Sequence, residues 1–243
     1  MSYEPPGPGR YWGQPLYGPG TAAEIDAGLR QYMVRVYSYM SAGLAISGLV
    51  AYISISTGFY QQIAGTPLIW IVMLAPLGMV LLLGFGINRM SIGAAFLAFW
   101  AFAALMGLSL AGIFLVFTGA SIARVFFISA ATFAAMSLYG YTTGSDLSRF
   151  GAFLFMGLIG IVIASLVNIF VGSNALQFAI SVIGVIVFTG LTAYDTQRIK
   201  QVYLASDPGD MTTKKAILGA LTLYLDFINL FVMLLQLTGQ RRD

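Results

Sequence analysis

Apolar residues fill long stretches of this chain, and polar ones gather between them. Seven runs are each about 20 residues or more: Val36–Thr57, Pro67–Ile87, Gly93–Phe117, Ile122–Tyr141, Gly151–Val171, Leu176–Gln197 and Ala216–Leu237. That length crosses a hydrocarbon core of about 30 Å at about 1.5 Å per residue. Apolar positions go all the way round each segment, as they do in membrane helices. Alternation with a period of two is absent, which argues against a barrel of strands. "TGA" from Thr118 and "GSN" from Gly172 read as turns between spans. The pattern predicts an all-α polytopic membrane protein with seven transmembrane helices.

Composition agrees. The 243 residues are 58% hydrophobic and 9% charged, against about 25% charged in a soluble domain. Such a chain cannot cover a water-facing surface. Residues 1–24 differ, because five of the eight prolines fall in the first twenty. This stretch reads as a Pro/Gly-rich disordered tail without the apolar core of a signal peptide. Residues 25–243 then form one seven-helix domain.

Charge sets the expected orientation. With the N-terminus in the cytoplasm, that side holds Arg10, Arg30, Arg35, Arg89, Arg149, Arg198, Lys200, Lys214 and Lys215. The other side holds Arg124, Arg241 and Arg242. This is a positive-inside bias. Seven crossings leave the "RRD" tail outside; a re-entrant last run would bring it inside. The length and regularity of Ala216–Leu237 favour a crossing. Small residues spaced by four, Gly107 with Ala111, Ala130 with Ala134 and Gly160 with Ala164, predict close helix packing. Pro76 predicts a kink in the second span.

Absences narrow the chemistry. The chain has no cysteine and no histidine, so thiol chemistry, the usual transition-metal ligands and the near-neutral imidazole switch are out. It has no P-loop, dinucleotide fingerprint or nucleophile elbow. No cofactor is expected, nor nucleic acid as a partner; the bilayer is.

What remains is a polar line inside the membrane. In "LYLDFINLF", Asp226 sits within an apolar helix. Positions three and four apart share its face, giving Thr222, Asp226, Asn229, Met233 and Gln236. An isolated Asp at a bilayer centre costs about 2.5–3.5 kcal/mol on insertion scales, so this stripe must face protein or water. The sixth span has a weaker counterpart in Ser181, Phe188, Thr192 and Asp195, ending in "TAYDTQRIK". Two carboxylates sharing a low-dielectric site cannot both ionise cheaply and titrate as a pair. Their oxygens also suit Ca²⁺, so proton and cation would compete for Asp195 and Asp226. Alternatively, Asp195 pairs with Arg198 or Lys200 as an interfacial acid, and Asp226 makes a buried hydrogen bond. Arg89, after the second span, reads as a removable counter-ion or as a positive-inside anchor. Asp207 and Asp210 flank a turn and lack the spacing of a Ca²⁺ loop.

"AYDTQRIK" followed about thirty residues later by "LYLDFINLF" resembles the Bax inhibitor-1 family, its bacterial branch above all. "IDAGLRQYMVRVYSYMSAGLAISG" and "FGAFLFMGLIGIVIASLVNIF" are similar to that branch too, so the resemblance runs from about Ile25 to Arg242. It implies six helices wrapped around a central last helix in a bacterial inner membrane. It implies a pH-sensitive Ca²⁺ leak gated by a pair of aspartates, matching Asp195 and Asp226. It also implies a basic latch after the second helix, for which Arg89 is the nearest match. Some relatives carry an acid in the second helix; "IWIVMLAPLGMVLLLGFG" has none.

Three functions follow as expectations. The first is a proton-regulated cation leak, with Asp195, Asp226 and Arg89 as gate and Thr192, Thr222, Asn229 and Gln236 as a polar pore lining. The second is a non-transporting protein that binds a membrane protease or other membrane proteins. The third, much less favoured, is an intramembrane aspartyl protease, because "YLD" departs from the GxGD-type motif of that class.

Overall fold

A computed structural model of the chain describes residues 22–242. The expected tail therefore lies almost wholly outside the described residues; Ala22–Glu24 already belong to the first helix. The helices in order are α1 (Ala22–Ser56), α2 (Phe59–Ala64), α3 (Leu68–Gly86), α4 (Ile92–Leu110), α5 (Ile113–Val116), α6 (Gly119–Thr142), α7 (Ser148–Val171), α8 (Asn174–Gln201) and α9 (Gly209–Thr238), with a 3-10 turn at Ile87–Arg89. Seven segments are long and apolar enough to span a membrane, with α4 and α5 forming one of them.

The spans outrun the apolar runs. The first begins at Asp26 and the last at Gly209, well before Val36 and Ala216. No proline interrupts these lead-ins, so the helix continues past the end of its apolar stretch. The expected turns are real caps. Thr118 and Ser173 each accept a hydrogen bond from the amide three residues on, as N-caps do; Ser91, outside the expected turns, caps α4 in the same way. Gly172 ends α7 with φ 63°, a left-handed conformation suited to glycine. Asp146 accepts from the Ser148 amide at 2.9 Å. The Ser148 hydroxyl and amide, with Arg149 adding to them, hold its carboxyl below the usual carboxylate range. Pro76 is buried inside α3, and the helix continues past it to Gly86.

α9 is the centre of the bundle. Leu223, Tyr224 and Leu230 on it are fully buried, and it packs against α1, α4, α6 and α8. The Tyr224 hydroxyl lies 2.6 Å from the Ser47 hydroxyl, which donates to the Ala103 carbonyl at 2.6 Å. One hydroxyl pair thus pins α1, α4 and α9. A Cβ on Gly107 would run into the Ser47 backbone, so this small residue does set a close crossing. Two other expected packing motifs behave differently. Gly160 is exposed with open space around its Cβ position, while Ala130 and Ala134 line a groove. Spacing alone cannot say whether a small face meets protein or lipid.

The chain end decides between crossing and re-entry. Phe117 and Arg241 form an antiparallel bridge. The Thr118 amide donates to the Gln240 carbonyl at 3.0 Å, and the Arg242 amide to the Val116 carbonyl at 2.9 Å. The C-terminus therefore sits beside the α5–α6 junction, with Arg124, at the end opposite the α8–α9 loop. Seven crossings stand. Arg30, Arg35, Arg89, Arg149, Arg198, Lys200, Lys214 and Lys215 cluster towards the other, basic end; Arg10 lies outside the described residues.

Candidate functional site

The site rests on how α8 meets α9. Met233 lies against Gly184, the Ser181 hydroxyl bonds Gln236, and Ile199 lies against Gly219. These contacts define one antiparallel register, which sets Asp195 about level with Thr222, one turn from Asp226. The gap closes because side chains lean towards their own helix N-terminus. In antiparallel helices, Asp195 leans inwards from the basic end and Asp226 leans back towards it. Their carboxyl groups come close enough to act on each other directly. Asp226 is eleven residues past Lys215 and Asp195 only three before Arg198, so counting from the charged loops would put them at different depths; the register and this convergence bring them together.

Both carboxyls are buried, Asp195 at 9% exposure and Asp226 at 5%. Asp226 Oδ2 has no hydrogen-bond donor. A buried carboxylate oxygen without a donor is costly. It calls for a proton shared between the pair, a water or a cation.

Two glycines hold Asp195 in place. A Cβ on Gly140 of α6 would collide with the Ala193 carbonyl, and one on Gly151 of α7 would collide with the Tyr194 ring. α8 is thus clamped on two sides next to the aspartate. The following residues fasten it further. The Thr196 hydroxyl is 2.9 Å from that of Ser137, which is 2.6 Å from that of Tyr37. The Gln197 side chain accepts from the Leu147 amide at 2.9 Å and donates to the Ser145 carbonyl at 2.8 Å. Lys200 donates to the Tyr141 carbonyl at 2.9 Å. Much of "TAYDTQRIK" is therefore architecture that positions one acid.

A cavity of about 540 Å³ opens beside the pair. α7 packs on α8 and faces α9 across it. Thr222, Asp226 and Asn229 line it from α9, Asp195 and Arg198 from α8, and Ser148 from α7. The expected stripe splits here. Gln236 belongs to a separate amide cluster, accepting from Gln177 Nε2 at 2.6 Å and from Ser181. Thr192 is fully buried, donates to the Phe188 carbonyl at 2.8 Å and does not line the cavity.

The cation nearest the pair also differs from expectation. Arg89 is exposed in the 3-10 turn and does not line the cavity. Arg198 does, and its charge acts on Asp195. The signal for Arg198 was its place one turn after Asp195. Asp207 also has a defined role: it pairs with Lys215 and ties the α8–α9 loop. Among the described residues no group of three or more acids forms a ready-made metal site.

A family model described as "Inhibitor of apoptosis-promoting Bax1" matches residues 29–243. The chain belongs to the Bax inhibitor-1 family. Inner membrane protein YbhL of Escherichia coli is 49% identical over 220 residues, covering 89% of this chain and 94% of the relative. An uncharacterised protein of Rickettsia prowazekii is 48% identical, covering 90% and 93%. An uncharacterised membrane protein of Streptococcus pyogenes is 36% identical, covering 89% and 96%. The match thus takes in all of the bundle but the first turns of α1, and with it both aspartates and the cavity beside them.

Proposed function

We propose that this Bax inhibitor-1 family protein is a pH-sensitive cation leak, with Asp195 and Asp226 as its proton-operated gate and Ca²⁺ as a permeant ion. The observation that carries this reading is the pair itself: two buried carboxyls face each other across α8 and α9 at the edge of a cavity, one with an oxygen lacking a donor. One proton between them keeps the pair closed and compact. Its loss leaves two like charges in a poorly solvated site. A hard cation then compensates them through carboxylate oxygens, and Thr222 and Asn229 supply further polar lining. Arg198 is the counter-charge that competes with the cation for Asp195.

The bundle sits in the inner membrane with its basic end in the cytoplasm, as the positive-inside rule requires. Because α8 and α9 converge near that end, the gate responds to cytoplasmic pH. A change in pair protonation shifts a two-state equilibrium between closed and conducting packings of α7, α8 and α9.

The test is Ca²⁺ entry into dye-loaded liposomes carrying the purified protein, stepped between pH 8 and pH 6 on the basic-end side. Wild-type flux is expected to change with pH, and Asp226→Asn to flatten that response. Asp195→Asn is expected to be non-additive with it, because the two acids titrate as one unit. No flux at any pH would overturn the leak and make the polar stripe a surface for a membrane protein partner. Flux with additive, pH-flat variants would overturn the gate alone.

A further inference from the structure

A second cavity, larger than the one beside the pair, lies away from the aspartates. α1 and α6 leave a groove of about 970 Å³ between them, floored by Phe227 of α9. Its lining comes from residues 30–52 of α1 and 126–141 of α6, and is apolar apart from a few hydroxyls and one charge, Arg30. The Tyr37–Ser137 bond sets the register across it, so Arg30 and Tyr141 share the basic end. Lys200 adds a second cation there: its Nζ sits 5.1 Å from the Tyr141 ring centroid and donates to that residue's carbonyl. An ammonium has three donors, so others remain. Among the described residues Arg30 has no ion-pair partner, and it is exposed.

A long apolar trough with cations at one end matches a particular ligand. Acyl chains fill apolar volume, and a phosphate suits a guanidinium, which can bind it through two N–H groups. Basic pockets between transmembrane helices bind anionic headgroups on this principle. We propose that the α1–α6 groove holds an anionic phospholipid, with its phosphate against Arg30 and Lys200. Its acyl chains lie between Met33–Leu44 of α1 and Ala130–Ser137 of α6. The site is independent of the leak. It does, however, touch α8 through the Tyr37–Ser137–Thr196 hydroxyl chain, next to Asp195.

The test is native mass spectrometry of the full-length, delipidated protein with palmitoyl-oleoyl phosphatidylglycerol, against the phosphatidylcholine of the same chains and against inorganic phosphate. Phosphatidylglycerol should be retained in preference to phosphatidylcholine, and inorganic phosphate not at all. Arg30→Gln should weaken phosphatidylglycerol retention about fivefold, the effect of one basic residue at a lipid headgroup. Phosphatidylcholine carries the same phosphate with a tethered cation that offsets its charge, so its weaker retention should fall by less. Ala134→Phe fills the middle of the trough from an exposed position and should displace both lipids. Equal retention of the two lipids with no effect of Arg30→Gln would overturn the headgroup assignment. Retention undiminished in Ala134→Phe would overturn the groove as the site. A mass of two copies lost in Ala134→Phe would assign the groove to a dimer contact instead.

Discussion

α3 and α9 are both long apolar helices, and α3 is the more apolar of the two. Yet 61% of the most apolar eighteen-residue stretch of α9 is buried in the protein, against 11% for α3. In water the greasier helix would go to the middle. In a bilayer it need not, because lipid tails are as apolar as leucine and no hydrophobic force sorts helices from one another. What sorts them is polarity and shape. α9 carries Asp226, Asn229 and the Tyr224 hydroxyl, each needing a partner, and so takes the centre. α3 has no polar side-chain group along Leu68–Gly86 beyond the exposed Trp70 indole N–H and can face lipid with Leu74, Leu77 and Leu81.

This contrast can be broken by experiment, most forcefully through packing. Leu230→Ala on α9 opens a cavity at a fully buried position and is expected to cost about 2–5 kcal/mol. Leu81→Ala on α3, half exposed, should cost well below 1 kcal/mol by the same equilibrium unfolding in mixed micelles. Comparable losses would mean that α3 is packed against something as α9 is. Moving the charge comes next. Leu77→Asp puts a carboxyl at the middle of α3, at an exposed position, and should cost about 2.5–3.5 kcal/mol in a membrane-insertion assay. If it inserts as easily as the parent, α3 borders a polar path and not lipid alone.

Two smaller effects sharpen the comparison. Tyr224→Phe removes the hydroxyl that joins α9 to Ser47, while Ser47 keeps the Ala103 carbonyl. With no group orphaned, the loss of stability should be about 0.5–1.5 kcal/mol; a larger loss would show that the α1–α4–α9 contact turns on that one bond. Gly78→Ala on α3 has open space around its Cβ and is expected to act in the opposite direction, stabilising by roughly 0.5–1 kcal/mol through helix propensity. A melting temperature that falls would mean a neighbour covers that face.

Some of the site could be read before any coordinates. Asp226 stood out because a carboxyl in an apolar helix has few explanations, and Asp195 because it ends the neighbouring helix. Their meeting was harder to read. Residue counts from the loops put them at different depths; the early start of α9 at Gly209 and the α8–α9 register remove most of that difference, and the lean of side chains in antiparallel helices closes the last turn. The split of the stripe was not legible at all. Gln236 and Thr192 have helical spacing compatible with the acids, but Gln177, Ser181 and the Phe188 carbonyl claim them. Gln197 and Thr196 carried no signal in the sequence, because their partners, the α6–α7 loop and Ser137, lie fifty residues or more away along the chain.

Length, hydropathy and charge thus determined the membrane, the seven candidate spans, the basic end and the two acids, because each is a property of one helix against its solvent. Which helix is central, which arginine faces the carboxyls, which glycines clamp α8 and where the α1–α6 groove opens were decided by tertiary structure. Those are relations between helices. In a solvent as apolar as their own side chains, only close packing and hydrogen-bond pairing choose among the arrangements that the spans allow.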